Sequence, residues 1–161
     1  MAGMPSSLEF GSETDRKPPF RYAVRTRVAF SDTDAQGIVY YGRYMPYFDL
    51  ARTEYHRHLG LEGIKTGGYD FVMRANTVEY FAPARFDELI EVYVRMRRIG
   101  STSITYELHA WRVADDVLMV TAQQTLVLVN LAQRSPVPIP PDFRQIFVAF
   151  EGEALELAAP R

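Results

Sequence analysis

One segment constrains the fold of this chain more than any other, namely residues 43–60 (RYMPYFDLARTEYHRHLG). Apolar and aromatic residues recur there at steps of three and four: Tyr44, Tyr47, Phe48, Ala51, Tyr55 and Leu59. This spacing predicts a helix with a single apolar stripe. Pro46 falls in the first turn, where a missing N–H costs little, and Gly60 can end the helix. A helix of about 16 residues is roughly 24 Å long.

Strand patterns stand on both sides of this predicted helix. Before it, residues 20–30 alternate with period two, which is typical of a strand with one solvated face. After it, four further strands are predicted at 71–80, 90–96, 102–110 and 117–130. The last of these is apolar on nearly both faces towards its end, which favours a central or interfacial place. Residues 143–150 carry a short amphipathic pattern that indicates a terminal helix.

The order of elements is therefore one strand, one long helix and four strands in succession. Short connections between the last four strands suit an antiparallel meander. The aromatic stripe must be buried, and the simplest solution is a curved antiparallel five-stranded sheet wrapped around one central helix, an α+β fold. Residues 1–19, rich in Gly, Ser, Pro and charge, are expected to form a flexible extension. Residues 20–150 then form the folded domain and 151–161 a C-terminal tail.

Composition argues against several classes of function. The 161 residues include no cysteine, so neither a disulfide nor a thiolate nucleophile can form. The formal charge of −2 and the scattered Lys and Arg residues argue against nucleic acid as the main partner. No apolar run approaches the roughly 18 residues of a membrane span, and the N-terminus lacks the layout of a secretion signal. We expect a cytoplasmic protein.

The segment that leads into the helix, SDTDAQGIVYYG (residues 31–42), carries two aspartates and a glycine. An EF-hand calcium loop needs oxygen ligands at its first, third and fifth positions, glycine at the sixth and glutamate at the twelfth. Asp32, Asp34 and Gly37 fit the early positions, but Arg43 stands at the twelfth. A strand also precedes the segment where an EF-hand has a helix. Calcium is therefore not expected, and the three scattered histidines predict no other metal site.

This junction and the order of elements resemble the hotdog fold. The resemblance is to the 4-hydroxybenzoyl-CoA thioesterases and to the acyl-CoA thioesterases associated with Tol-Pal operons. Their pattern has an aspartate, two spacers, a glycine, an apolar pair, aromatic or histidine residues, and a helix with Tyr, an acid and Ala-Arg. Its matches here are Asp34, Gly37, Ile38, Val39, Tyr40, Tyr41, Tyr44, Asp49, Ala51 and Arg52. The resemblance spans residues 20–148 and includes VEYFAPAR at 78–85.

The resemblance implies an acyl-CoA thioesterase, which hydrolyses a thioester to a carboxylic acid and free CoA without a cofactor. In the family, a carboxylate at the position of Asp34 acts as nucleophile or general base. A backbone N–H at the position of Tyr41 polarises the carbonyl, and a helix N-terminus suits that task because its first N–H groups are unpaired. Gly37 lets the loop turn tightly. Asp32 is expected to be a structural residue of the loop.

Two positions on the predicted helix have an open interpretation. Tyr44 belongs to an aromatic group that either holds the acyl group of the substrate or packs the helix against the sheet. Asp49 either orients water or substrate, or forms a surface or interfacial salt bridge. A second pattern within the family places the catalytic acid in the middle of the helix, and this would nominate Asp49 or Glu54 in place of Asp34.

Further substrate contacts follow from the resemblance alone. Arg97 and Arg98, with Ser101 just beyond, occupy the position where the 4-hydroxybenzoyl-CoA branch contacts the nucleotide of CoA. The family completes its active loop and its open sheet edge by pairing subunits, so Asn76 and Thr77 are expected to line the site of a partner. A dimer of dimers is the expected assembly.

Two alternatives to a thioesterase remain open. A hotdog hydratase or dehydratase pairs a loop histidine with a helix acid, but no histidine lies between Ser31 and Tyr55. The Tol-Pal branch carries a histidine where this chain has Tyr41, so no imidazole assists Asp34 from that position. The other alternative is a non-catalytic acyl-CoA-binding protein, for which the 19-residue extension is too short to supply an appended module.

Overall fold

The computed structural model describes residues 10–61 and 68–158. Its main elements are the helix α1 (Tyr44–His58) and the strands β2 (Tyr22–Arg27), β3 (Asp70–Tyr80), β4 (Leu89–Ile99), β5 (Ser103–Arg112) and β6 (Val117–Asn130). Three short strands, β1 (Gly11–Glu13), β7 (Ser135–Pro136) and β8 (Glu156–Leu157), and the helix α2 (Pro141–Glu151) complete the described structure. The eight strands form one sheet.

The helix α1 forms because the sheet buries its apolar stripe. Phe48, Ala51 and Tyr55 have no exposed surface. In β5 every second residue from Ile104 to Ala110 is buried, as a strand with one face on the core requires. The predicted fold class, an α+β fold with a sheet packed around one long helix, is therefore confirmed. The sheet has eight strands where five were predicted, because β1, β7 and β8 are only two or three residues long and too short to show alternation. Within the described residues, neither α1 nor α2 is long and apolar enough to cross a membrane.

The strand order differs from the predicted meander. The sheet runs β1-β2-β4-β5-β6-β3, so β4 pairs with β2, and β3 pairs with β6 at the opposite end. Only β4, β5 and β6 follow one another as predicted, and the four-strand meander is wrong. Alternation specifies which face of a strand is buried but not which strand lies beside it. As a result β3 is an edge strand, and most of its residues are exposed.

Part of the segment predicted to be flexible is ordered. The strand β1 pairs with β2, and Gly11 lies so close to Tyr22 that an added Cβ would stand 2.3 Å from Tyr22 Oη. Arg16 forms an ion pair with the buried Glu91 on β4. A three-residue strand shows no periodicity, and its partners are distant in sequence, so the pattern could not predict this order. Residues 1–9 lie outside the described residues.

The end of the domain is also closely packed. Glu151, the last residue of α2, has no exposed surface and accepts hydrogen bonds from Tyr55 Oη and from the N–H of Met96. Burial raises the pKa of this carboxyl. Beyond it, β8 pairs in parallel with the end of β4. The segment predicted as a C-terminal tail therefore begins in the core, and its residues 159–161 lie outside the described structure.

Candidate active site

The connection between β2 and α1 folds back on itself as a small hairpin. Thr33 and Val39 face each other as an antiparallel bridge. At the tip, the N–H of Asp34 donates to the carbonyl of Ile38 at 2.9 Å, and the N–H of Gly37 donates to the carbonyl of Asp34 at 3.0 Å. Gly37 has a φ of 76°, a conformation that glycine adopts without strain. The hairpin therefore presents Asp34 at the start of a tight, hydrogen-bonded tip.

The carboxylate of Asp34 is held on one side only. Its Oδ1 accepts the N–H of Gln36 at 2.8 Å, the arrangement of an Asx turn. Within the described residues, Oδ2 accepts no hydrogen bond. The side chain is half-buried and lines a cavity of about 340 Å³. One oxygen thus fixes the orientation of the carboxylate, and the other is available for chemistry.

Tyr41 begins the 3₁₀ turn Tyr41–Arg43 that leads into α1. The carbonyl of Tyr40 accepts the N–H of Arg43 at 2.8 Å. The carbonyl of Tyr40 and the N–H of Tyr41 belong to the same peptide unit. The C=O and N–H of a trans peptide unit point in opposite directions, so the N–H of Tyr41 points away from this turn. The first N–H groups of a helical segment have no partner inside it and carry partial positive charge. Tyr41 lines the same cavity as Asp34, so the structure brings these two predicted site residues together.

Aromatic residues form much of the wall of this cavity. The buried Tyr44 accepts the N–H of Ala84 on its Oη at 3.1 Å, and burial raises the pKa of its phenol. Tyr80 donates from its Oη to the carbonyl of Tyr41 at 3.0 Å. The rings of Tyr44 and Tyr80 meet edge to face at 5.8 Å. Further apolar lining comes from Ile38, Val39, Phe81, Ala82 and Pro83. The cavity thus combines one carboxylate with apolar walls.

Comparison with known proteins identifies the family. The thioesterase-like superfamily matches residues 28–147, which include the hairpin, the helix and all the long strands except β2. The chain belongs to this superfamily. The resemblance found in the sequence is therefore confirmed. The predicted enzyme class, a hydrolase of thioesters, is confirmed as well.

Individual relatives of this thioesterase-like chain agree with the assignment. The acyl-CoA thioester hydrolase YbgC of Escherichia coli is 33% identical over 123 residues, which are 75% of this chain and 90% of the relative. The acyl-CoA thioesterase YbgC of Haemophilus influenzae is 28% identical over 129 residues, covering 78% of this chain and 93% of the relative. Among solved structures, the 1,4-dihydroxy-2-naphthoyl-CoA thioesterase Slr0204 of Synechocystis has a TM-score of 0.72 at 19% identity, covering 78% of this chain and 93% of its own. The likeness to Slr0204 shows the fold alone.

Asp49 does not share the cavity of Asp34 in this thioesterase-like fold. It lies just over two turns beyond Tyr41, with 62% of its side chain exposed, and pairs with Arg52 one turn further. Both residues line a second cavity of about 370 Å³, together with Thr53, His56, Phe71, Ile104, Tyr106 and Leu126. Of the two interpretations of Asp49, the contacts within one chain fit the ion pair.

Asn76 and Thr77 lie on opposite faces of β3, because successive residues of a strand alternate. Asn76 faces α1, where its Nδ2 lies 3.1 Å from Met45 Sδ. Thr77 lines a small cavity of about 140 Å³ together with Glu107 and His109 on β5. The two residues therefore do not act on one ligand within a single chain.

Arg97, Arg98 and Ser101 lie at the far end of the sheet. The strand β4 begins at Leu89 near the hairpin and reaches Arg98 nine residues later, a rise of about 30 Å. A single chain therefore does not bring these residues to Asp34. Their contact with the nucleotide of CoA, a group remote from the thioester, stays a prediction.

Tyr80 is a residue of the site that the sequence patterns did not predict. Its hydroxyl contacts the turn Tyr41–Arg43 that leads into α1. The available signal was its place at the end of a strand, just before the turn FAPA. The three histidines have separate partners, since His56 contacts Tyr106, His58 contacts Glu13 and His109 contacts Glu107. In the described ranges, no group of three or more His, Asp or Glu residues could hold a metal ion.

Proposed function

We propose that this protein is an acyl-CoA thioesterase in which Asp34 is the reactive carboxylate and the N–H of Tyr41 stabilises the oxyanion. The observation that carries the proposal is that Asp34 and Tyr41 line one cavity with largely apolar walls. Membership of the thioesterase-like superfamily supports the same reaction class. The relatives named acyl-CoA thioester hydrolases support the choice of CoA thioesters as substrates.

The reaction can follow either of two routes at Asp34. As a nucleophile, Oδ2 attacks the carbonyl carbon, the C–S bond breaks with CoA as the leaving thiolate, and water hydrolyses the resulting anhydride. As a general base, Oδ2 takes a proton from a water molecule whose oxygen attacks the same carbon, and the thiolate leaves with that proton. In both routes negative charge develops on the carbonyl oxygen, where the N–H of Tyr41 donates. Both routes use the oxygen that Gln36 leaves free.

The test follows thiol release from short-chain, medium-chain and aromatic acyl-CoAs. We expect wild-type turnover with at least one of them, and a fall of about 10³-fold or more in the Asp34→Asn and Asp34→Ala variants. Asp142→Asn is the matched control, because it neutralises an exposed aspartate in the first turn of α2, outside the cavity, and it should keep its activity. Absence of turnover with every substrate, or undiminished turnover in both Asp34 variants, would contradict the proposal.

We also propose that two copies pair through β3. This strand has one neighbour, β6, among the described strands, so its other edge is open. Three of its apolar residues, Val72, Met73 and Tyr80, expose 38%, 44% and 48% of their surface. Light scattering should report a dimer or a multiple of a dimer. Met73→Lys should shift the equilibrium towards monomer, because pairing would bury an unpaired charge at a free-energy cost. Further assembly into a tetramer and a cytoplasmic location stay predictions.

A further inference from the structure

The second aspartate of the hairpin, Asp32, is engaged on both of its oxygens. Its side chain is 12% exposed. Oδ2 accepts the Oη–H of Tyr47 at 2.6 Å and the N–H of Ala29 at 3.1 Å. Oδ1 accepts the Nε–H of Arg43 at 3.2 Å and lies 3.1 Å from another nitrogen of that guanidinium. One carboxylate therefore joins the segment that follows β2, the 3₁₀ turn Tyr41–Arg43 and α1.

The backbone of Asp32 extends this link to the reacting groups. Its carbonyl accepts the N–H of Tyr40 at 2.9 Å, so these two residues form the base of the hairpin whose tip carries Asp34. Tyr41 follows directly in the chain. The distance between the carboxylate of Asp34 and the N–H of Tyr41 therefore depends on where this base sits relative to α1.

Tyr47 is the part of the link that belongs to α1. Its side chain is buried, and burial together with the carboxylate of Asp32 raises the pKa of the phenol, so it stays a donor. Hydrogen bonds to a carboxylate are stronger than those between neutral groups, and Arg43 compensates the charge. Tyr44, one turn earlier, holds the other side of the hairpin, because Ala84 donates to its Oη and accepts the N–H of Val39.

We infer that the Asp32–Tyr47 pair is a positioning device, which holds the base of the hairpin against α1 and so sets Asp34 opposite the N–H of Tyr41. This inference rests on the proposed function. Asp32 is buried outside the cavity that Asp34 lines, and it acts on the reaction only through the hairpin. A displacement of about 1 Å between reacting groups can lower a rate by about 10²-fold. Loss of this one hydrogen bond should therefore lower catalysis more than it lowers stability.

The test variant is Tyr47→Phe, which removes only the hydroxyl. The chain offers a matched control in Tyr55→Phe, because Tyr55 is also buried on α1 and also donates to a buried carboxylate, that of Glu151, at the opposite end of the helix. We expect both variants to lose a similar amount of thermal stability. Only Tyr47→Phe should lose kcat, by about tenfold or more, while its KM stays within about twofold of wild type. Equal kcat values for the two variants would overturn the inference.

Amide hydrogen exchange of residues 31–42, measured by mass spectrometry, gives a readout that needs no turnover. We expect faster exchange of this segment in Tyr47→Phe than in wild type, and unchanged exchange in Tyr55→Phe. If the wild type hydrolyses no acyl-CoA, the proposed function fails, and exchange alone decides the inference. Faster exchange in Tyr47→Phe alone then supports the Asp32–Tyr47 pair as a positioning device, whereas wild-type exchange in that variant overturns it.

Discussion

Tyr80 donates a hydrogen bond from its Oη to the carbonyl of Tyr41 at 3.0 Å. Tyr80 is the last residue of β3, at the edge of the sheet, and Tyr41 is the first residue of the turn that leads into α1. The same ring packs edge to face against Tyr44 in the wall of the cavity. The sheet edge therefore supports both the wall of the cavity and the segment that carries the oxyanion donor.

Replacement of Tyr80 by Phe keeps the ring and removes this bond. We expect kcat for acyl-CoA hydrolysis to fall by about fivefold, since a net hydrogen bond of about 1 kcal/mol corresponds to that factor. The free energy of unfolding should fall by about 1 kcal/mol or less, because Tyr80 is half-exposed and only this bond is removed. Tyr93→Phe is the control, since it removes a hydroxyl within a separate cluster of buried residues, with Phe20 and Ala23. Equal kcat values for the two variants, measured by thiol release, would contradict this role of Tyr80.

Gly37→Ala should lower activity through backbone strain alone. Gly37 has a φ of 76°, and among the described residues no atom lies within 4 Å of an added Cβ. A left-handed conformation costs an alanine roughly 1 to 2 kcal/mol, which the hairpin can relieve only by moving Asp34. Gly60 at the end of α1 has a φ of 74° and, within the same residues, equally open space, so Gly60→Ala is a matched control. Urea unfolding should show similar losses of stability, whereas kcat should fall only in Gly37→Ala. Loss of kcat in both variants would argue against a local effect.

His56 should make stability depend on pH. Burial, and secondarily the charge of Arg52, lowers the pKa of His56 from 6.5 to about 4. The folded protein therefore keeps this ring neutral at a pH where the unfolded chain binds a proton. The stabilisation is present above pH 6.5 and is lost as the pH falls towards 4. It amounts to at most about 3 kcal/mol.

Urea unfolding of wild type, His56→Gln and His58→Gln across this range checks the prediction. Wild type and His58→Gln should lose stability in parallel as the pH falls from 7 to 4. The free energy of unfolding of His56→Gln, lower at pH 7, should fall less, so that its difference from wild type shrinks. Parallel curves for all three proteins would rule out His56 as the source of the pH dependence of stability.

Local patterns in the sequence predicted those elements whose residues alternate or recur along the chain. The stripe from Tyr44 to Tyr55 predicted α1 because a helix brings every third or fourth residue to one face, and that face had to be covered by a sheet. The long strands were predicted within a few residues of their observed bounds. The strand β1 was not predicted, because three residues are too few to show a period. Its order depends on pairing with β2, where Gly11 contacts Tyr22, and no pattern within β1 contains that contact.

Patterns along the chain could not predict which distant segments meet. Alternation in β3 is the same whether β4 or β6 lies beside it, and only the packing of the whole sheet around α1 decided for β6. For the same reason Arg97 and Arg98, which the resemblance predicts to contact the nucleotide of CoA, lie at the opposite end of β4 from the hairpin that carries Asp34. Tyr80 reaches Tyr41 across 39 residues of chain, a contact that no local pattern contains.

The two aspartates of the hairpin separate what the sequence determined from what the tertiary structure decided. From the sequence alone, DTD followed by a glycine before an aromatic helix determined that this segment makes a tight turn into a helix N-terminus and carries carboxylates there. The tertiary structure decided what each carboxylate does. Asp32 is buried among donors from Tyr47, Arg43 and Ala29. Asp34, two residues later, keeps one oxygen free at a cavity, because side chains so close in sequence can face opposite environments.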